Sequence, residues 1–154
     1  VKDLNNLTSE EFLIRLSLSF RVEISSSPVK PKCPKSFGMY LEGNWYVIHL
    51  NKGHGTTGPV DKLDVSILQQ TILSPILGIS DPRTDDRIDF VGGSRGTQAI
   101  SHLVDDGAMK VGFTLFPTKM KELMAVADAG LIMPPKSTWF DPKLADGLLS
   151  IPID

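Results

Sequence analysis

The chain has 154 residues, the length of about one domain, and carries 16 Lys and Arg against 18 Asp and Glu, a formal net charge of −2. This balance argues against a nucleic-acid partner, because nucleic-acid binders usually show a basic face. No apolar run reaches the ~18 residues that a membrane span needs, so we expect no membrane partner either. The single cysteine, Cys33, excludes an internal disulfide framework and favours a cytoplasmic location.

The first half of the chain predicts a helix, a strand and a hairpin. The run Thr8-Ser9-Glu10-Glu11 has the form of a capping box, which begins a helix. Alternating apolar and polar residues predict a strand over residues 20–24. Residues 26–35 are rich in Pro, Ser and Lys and predict a surface loop. A second alternating stretch over residues 37–50 predicts a β-hairpin that turns at Gly43-Asn44.

The second half alternates predicted helices with predicted strands, which could form a split βαβ unit. We therefore expect a single α+β domain over residues 1–154, with a mixed, largely antiparallel sheet and helices packed mainly on one face. Apolar spacing and the positions of Gly and Pro predict, in order, a helix over 61–74 stopped by Pro75, a strand over 88–90, a helix over 100–107, a strand over 109–115, a helix capped by Thr118 and closed by Gly130, an irregular segment over 134–142 and a last strand over 148–151.

The sequence Gly92-Gly93-Ser94-Arg95-Gly96 matches the nucleophile elbow G-x-S-x-G and lies between a predicted strand and a predicted helix. The histidine after it, His102, is eight residues further on the same predicted helix, about 12 Å along its axis, so it cannot activate Ser94. The motif therefore favours a structural turn, or an anion pocket in which helix amides and Arg95 hold a phosphate or carboxylate. Whether the chain is an enzyme stays open.

Motifs for nucleotides and metals are incomplete. Gly53 and Gly58 have the glycine spacing of a P-loop, but Pro59-Val60 stands where Lys and Ser or Thr are needed. The dinucleotide fingerprint is also incomplete around Gly92. We therefore expect no cofactor and no metal. The soft metal ligands of the chain, which show no zinc-binding spacing, are Cys33, His49, His54 and His102.

Two polar segments, residues 81–89 and 134–142, are candidates for a ligand site, together with the glycine-rich turn. Arginine forms bidentate contacts with carboxylates and phosphates, so the expected ligand is a small anion. The alternative is that the charges pair internally and that Trp139-Phe140 fills the core. The candidate ligand-binding residues are Arg83, Asp85, Arg87, Asp89, Gly92, Gly93, Ser94, Arg95, Lys136, Ser137 and Thr138.

Several runs together resemble an uncharacterised prokaryotic family, domain-of-unknown-function family number 1015. The resemblance appears in D-K-L-D-V-S-I-L-Q at 61–69, D-P-R-T-D at 81–85, R-I-D-F-V-G-G at 87–93 and P-P-K-S-T-W-F at 134–140. Family members are two-part proteins of about twice this length or more. The resemblance therefore implies that this chain is a C-terminal part, that residues 1–4 lie where the parts join, and that the N-terminal part is its partner.

The resemblance also carries an expectation about function. The N-terminal part of the family has a D-G-H-H-R-type run, similar to a ParB-like fold that includes free-serine kinases, and family genes often lie near serine-biosynthesis genes. The run is absent here, and the family pattern does not require a serine at Ser94. We expect an accessory or ligand-completing domain linked to serine or phosphoserine metabolism. The alternatives are a structural or oligomerisation domain without a ligand, and a serine hydrolase that uses Ser94.

Overall fold

The computed structural model describes residues 1–53 and 57–138, and of Ser94 the backbone alone. In these residues a four-stranded sheet has the strand order β1-β3-β2-β4. The elements are, in chain order, α1 (Ser9–Ser17), β1 (Phe20–Ser25), β2 (Ser36–Leu41), β3 (Asn44–Leu50), α2 (Asp64–Leu68), a π-helix (Gln69–Leu73), a 3-10 turn (Gly93–Arg95), α3 (Gly96–Asp105), β4 (Val111–Leu115) and α4 (Met120–Asp128).

The capping box predicts the start of α1 correctly. The Glu11 amide donates to the Thr8 hydroxyl at 3.2 Å, and the Thr8 amide donates to the Glu11 carboxylate at 2.8 Å. These bonds satisfy amides that the first helical turn leaves without intrahelical partners. Phe12 and Leu16 then lie on the buried face of the helix.

The hairpin forms as predicted, but its turn lies one residue earlier, at Glu42-Gly43. Asn44 already pairs with Leu41 and is the first residue of β3. Both turn residues have positive φ, 46° at Glu42 and 77° at Gly43. A two-residue turn with positive φ at both positions matches the right-handed twist of the strands, and a glycine is favoured there.

The helix predicted over residues 61–74 is shorter and changes type. The Asp61 carboxylate accepts the Gly58 amide at 3.3 Å and closes a turn, so α2 begins three residues later, at Asp64. From Gln69 the chain continues as a π-helix, in which the Ser74 amide donates to the Gln69 carbonyl. The helix ends before Pro75, as predicted.

The sheet is covered on both faces at its centre. Phe37, Met39 and Leu41 of β2 belong to the larger buried cluster, which includes residues of α1, α2 and the π-helix. Tyr40 belongs to a smaller cluster with Val29 and Trp45, against which Ile100 and Val104 of α3 pack. The α+β class is confirmed, and α3 is the helix that packs on the face opposite α1 and α2.

Other details differ from the sequence expectations. All strand pairs among the described residues are antiparallel, so the predicted split βαβ unit and mixed sheet are not formed there. The strand predicted over residues 88–90 is wrong, because no described segment lies beside it to form a ladder.

α4 begins at Met120 after Lys119, whose amide donates to the Glu122 carboxylate at 2.7 Å, and Thr118 is not its cap. The predicted last strand, 148–151, lies outside the described residues.

Helices long and apolar enough to cross a bilayer do not occur in the described ranges.

Candidate ligand cleft

An open cleft of about 1140 Å³ lies beside β4. One side is formed by β4 and the residues that lead into α4. The other sides are formed by the π-helix, segment 88–93 and residues 134–138. Apolar side chains of β4 and of segment 88–91 line much of it. Its charged lining residues are Asp81, Arg83, Asp89, Lys119 and Lys136.

Asp81 and Arg83 form an exposed ion pair at one rim of the cleft. The Asp81 carboxylate accepts the Arg83 amide at 3.0 Å and also accepts Nε and Nη2 of the same guanidinium, the latter at 2.7 Å. The bonds to Arg83 lower the pKa of Asp81 to about 2, so it stays ionised. Nη1 of Arg83 makes no bond to the described residues and can reach a ligand.

Asp85 and Arg87 repeat the same local geometry, but Arg87 points into the protein. The Asp85 carboxylate accepts the Arg87 amide at 2.9 Å and Nη2 at 2.7 Å. Arg87 also donates to the Leu77 and Gly78 carbonyls at 3.1 Å each, and reaches Asp3 at 3.5 Å. The Arg87 side chain is 27% exposed, against 67% for Arg83. This pair joins parts of the fold and does not line the cleft.

Residues 134–138 bring a cation and hydroxyl groups to the cleft. The Ser137 hydroxyl donates to the Pro134 carbonyl, and the Thr118 hydroxyl donates to the Ser137 carbonyl at 3.0 Å. These bonds hold the turn against the entry to α4. Lys136 has a positive φ of 59° and is exposed within this turn. Lys136, Ser137 and Thr138 all line the cleft.

The glycine-rich turn contributes only its first part. Gly92 and Gly93 line the cleft, whereas Arg95 is exposed and does not. The Arg95 amide donates to the Gly92 carbonyl at 3.0 Å, and Gly96 turns the chain into α3 with a φ of 70°. An anion pocket at Arg95 and Ser94 therefore stays a prediction. His54 and Trp139-Phe140 lie outside the described residues.

Sequence reasoning missed several residues of the cleft. Gln69 and Gln70 reach it because the π-helix changes the direction of side chains after α2, and π-turns are common at functional sites. The Gln69 side-chain amide donates to the Ile79 and Ser80 carbonyls at 2.8 and 3.1 Å, which holds the start of the polar loop beside the cleft. Lys119, whose ammonium lies 5.3 Å from the Phe116 ring centroid, was also missed. Its position next to Thr118 was the available signal.

Across residues 1–53 and 57–138, no three His, Cys, Asp or Glu side chains come together as a metal site. The described residues form an α+β fold with an open cleft of mixed charge. Residues 1–66 match the model of the family described as Protein of unknown function (DUF1015), the family that the sequence motifs resemble. Segments 81–93 and 134–140, which carry most of the resemblance, lie outside that match. No curated protein and no solved structure matches the chain.

Proposed function

We propose that this domain binds a small organic anion in the cleft and completes a ligand site of a longer cytoplasmic protein. The proposal rests on the observation that separate parts of the sequence line the same cleft. Arg83, segment 88–93 and residues 134–138 are far apart in the sequence, yet all line one cleft. Concave sites with an apolar wall and a few polar groups are the usual form of small-molecule sites.

The charges of the lining favour an anion. The lining contains three cations, Arg83, Lys119 and Lys136, and two carboxylates, Asp81 and Asp89. A guanidinium binds phosphate or carboxylate through parallel N–H bonds, and an ammonium adds a point charge. The carboxylate of Asp89 suits an amino group on the same ligand. A phosphorylated amino acid, which carries phosphate, carboxylate and ammonium groups, matches this set.

The link to serine or phosphoserine metabolism and the position as a C-terminal part of a longer protein rest on the family resemblance. The cytoplasmic location rests on the single cysteine, Cys33, which is exposed and free. Exposed thiols persist where the compartment is reducing.

Titration with phosphoserine, serine and inorganic phosphate, followed by backbone NMR shifts, tests the ligand. We expect saturable shifts at segment 88–93 and residues 134–138, strongest with phosphoserine. Arg83→Ala should weaken binding roughly tenfold, because it removes a charge-assisted bond. Arg21→Ala is the matched control, since Arg21 is 68% exposed and pairs with Glu23 at 2.8 Å on β1. Equal affinities in both variants, or no saturable shift, would rule out this site.

A structural domain without a ligand is the second candidate, and one observation favours it. The charges of Asp85 and Arg87 satisfy each other and backbone groups, as expected for an internally paired loop. The hydrolase that uses Ser94 has no supporting observation, because the strand that a nucleophile elbow requires does not form before Gly92.

A further inference from the structure

β1 is an edge strand of the described sheet, because β3 pairs with one of its sides and no described strand pairs with the other. Just ahead of the strand, the Asn51 amide donates to the Ser19 carbonyl at 2.9 Å. The Leu50 amide donates instead to the Lys35 carbonyl at 3.0 Å, on the side of β3 away from β1. Because the backbone groups of a strand alternate between its two sides, Ser19 and every second residue after it bond to β3.

This alternation divides the residues of β1 into two sets. The amides and carbonyls of Arg21 and Glu23 bond to β3, whereas those of Phe20, Val22 and Ile24 point to the free edge. In the described part of the chain, no other backbone group bonds to these three residues. The Ile24 side chain is also 70% exposed. Unused backbone groups and an exposed apolar side chain are the features of an edge that can pair with another strand.

The charges on β1 decide which strand can pair there. Arg21 and Glu23 lie on the same face of the strand, with 2.8 Å between Arg21 Nε and Glu23 Oε1, and both side chains are exposed. Charges on an edge strand commonly hinder pairing, because they meet like charges on the approaching strand. Here the two charges have opposite signs, so the outcome depends on the register.

Two-fold antiparallel pairing of β1 with a second copy of itself has three registers near the middle of the strand. With Val22 on the axis, Arg21 lies opposite Glu23 of the partner subunit, and this pair occurs twice. With Arg21 on the axis, two arginines face each other, and with Glu23 on the axis, two glutamates do. Opposite charges stabilise a cross-strand pair and like charges destabilise it, so the charges select the register centred on Val22.

The same register uses the free backbone groups. Val22 lies opposite Val22 of the partner subunit, and Phe20 lies opposite Ile24 of the partner subunit, both as hydrogen-bonded pairs. Arg21 and Glu23 of the partner subunit then form a non-hydrogen-bonded pair, in which Cα atoms lie about 4.5 Å apart and side chains come closest. Aromatic and β-branched side chains in opposite positions add to the stability of the pair, and the exposed Ile24 is covered.

We infer that a second copy of this chain binds at β1, so that the two sheets join into one antiparallel sheet across a two-fold axis through Val22. An interface made by one pair of short strands is small, so the dimer is weak and reversible. β4, beside which the anion cleft lies, is at the opposite edge of the described sheet. Dimerisation and anion binding are therefore tested independently of each other.

Sedimentation equilibrium of the 1–154 chain from about 10 μM to about 1 mM tests the inference, and we expect a monomer–dimer equilibrium in this range. Arg21→Glu should weaken the dimer at least about tenfold, because both cross-strand pairs become repulsive. Lys121→Glu is the matched control, since it makes the same change of net charge at an exposed position of α4. A monomer at all concentrations, or an equal effect of the two variants, would overturn the inference.

Mixing charge variants tests whether β1 itself is the contact. Arg21→Glu alone and Glu23→Arg alone should each associate weakly, whereas an equimolar mixture should form a heterodimer, because each charge then meets one of opposite sign. The double variant Arg21→Glu/Glu23→Arg should dimerise as well as the parent chain. If the parent chain dimerises but the double variant and the mixture do not, the contact lies elsewhere and the inference is wrong.

Amide hydrogen exchange reports on the edge directly. The Val22 and Ile24 amides should exchange about fivefold or more slowly at 1 mM than at 10 μM, since the dimer protects them. The Arg21 and Glu23 amides, which bond to β3, are internal controls and should be protected at both concentrations. If Val22 and Ile24 are already protected in the dilute monomer, another part of the same chain covers this edge, which would contradict the inference.

Discussion

Asp64 is a partly buried carboxylic acid, and its burial disfavours the ionised form. It is the first residue of α2, and its Oδ1 accepts the Lys35 amide at 2.8 Å. Its Oδ2 is buried and has no partner among the described residues. Burial raises the pKa of Asp64 to about 6, and the nearby charge of Glu122 adds to this, while the Lys35 bond opposes it. The ionised form therefore destabilises the fold.

Because the pKa of Asp64 is higher in the folded than in the unfolded chain, the folded state binds more protons between pH ~4 and pH ~6. Its contribution to the free energy of unfolding should fall as pH rises through this range. Asp64→Asn should remove that fall and stabilise the protein at pH 7.5 by roughly 1 kcal/mol, allowing for partial exposure to solvent. Urea unfolding at pH 4 and pH 7.5 measures this. Asp86→Asn, an exposed control, should leave the pH profile unchanged, and an equal effect of both variants would contradict the assignment.

At the scale of elements, we expect β2 to tolerate least change, because all six of its residues are buried. Its glycine, Gly38, faces the smaller cluster, where the loop of residues 26–35 crosses the sheet. A Cβ at this position would overlap the Thr114 hydroxyl and lie 2.8 Å from the Val29 carbonyl. The Thr114 hydroxyl itself donates to that carbonyl at 2.8 Å, so the loop is tied down at this point.

Gly38→Ala should therefore destabilise the protein by about 1–3 kcal/mol, the usual cost of overfilling a packed site. Gly93→Ala is the control, since a Cβ there meets nothing within 4 Å and the residue has no positive φ. It should change the free energy of unfolding by less than about 1 kcal/mol. Chemical denaturation of the two variants measures the difference. Equal losses would mean that the contact with Val29 relaxes freely.

Sequence signals between neighbouring residues predicted most of the helices and strands. Strand pairing and the direction of the site side chains depend on contacts between residues far apart in the sequence. The capping box at Thr8, and the helix ends marked by Gly107 and Gly130, depend on neighbouring residues and were read correctly. The strand predicted over residues 88–90 has no paired neighbour among the described residues. The π-helix changes the direction of the Gln69 side chain. Part of the candidate site could be predicted, because polar loops can be recognised in the sequence. The inward direction of Arg87 could not, because it depends on the Leu77 and Gly78 carbonyls of another turn.

At the scale of the whole molecule, Arg87 joins segments that would otherwise be independent. Its side chain binds the turn after the π-helix and Asp3 near the start of the chain, and its carbonyl accepts the Lys2 amide. It thereby sets the position of Val1-Lys2 between β4 and segment 88–91. Among the described residues, the same D-x-R arrangement at Asp81 and Arg83 makes no such connection, so the two arginines form a natural comparison.

Arg87→Lys should lower the melting temperature by several degrees, because an ammonium cannot reproduce the fork that contacts Asp85 and two carbonyls together. Arg83→Lys should leave the melting temperature nearly unchanged, since exposed ion pairs contribute little to stability. In the Arg87→Lys variant the Lys2 and Val111 amides should also exchange faster. Both amides bond in the Val1-Lys2 region, whose position Arg87 supports. Calorimetry and hydrogen exchange on both variants measure these effects. If Arg83→Lys were the more destabilising change, the connecting role would belong to the exposed pair, and the position of Val1-Lys2 would need another support.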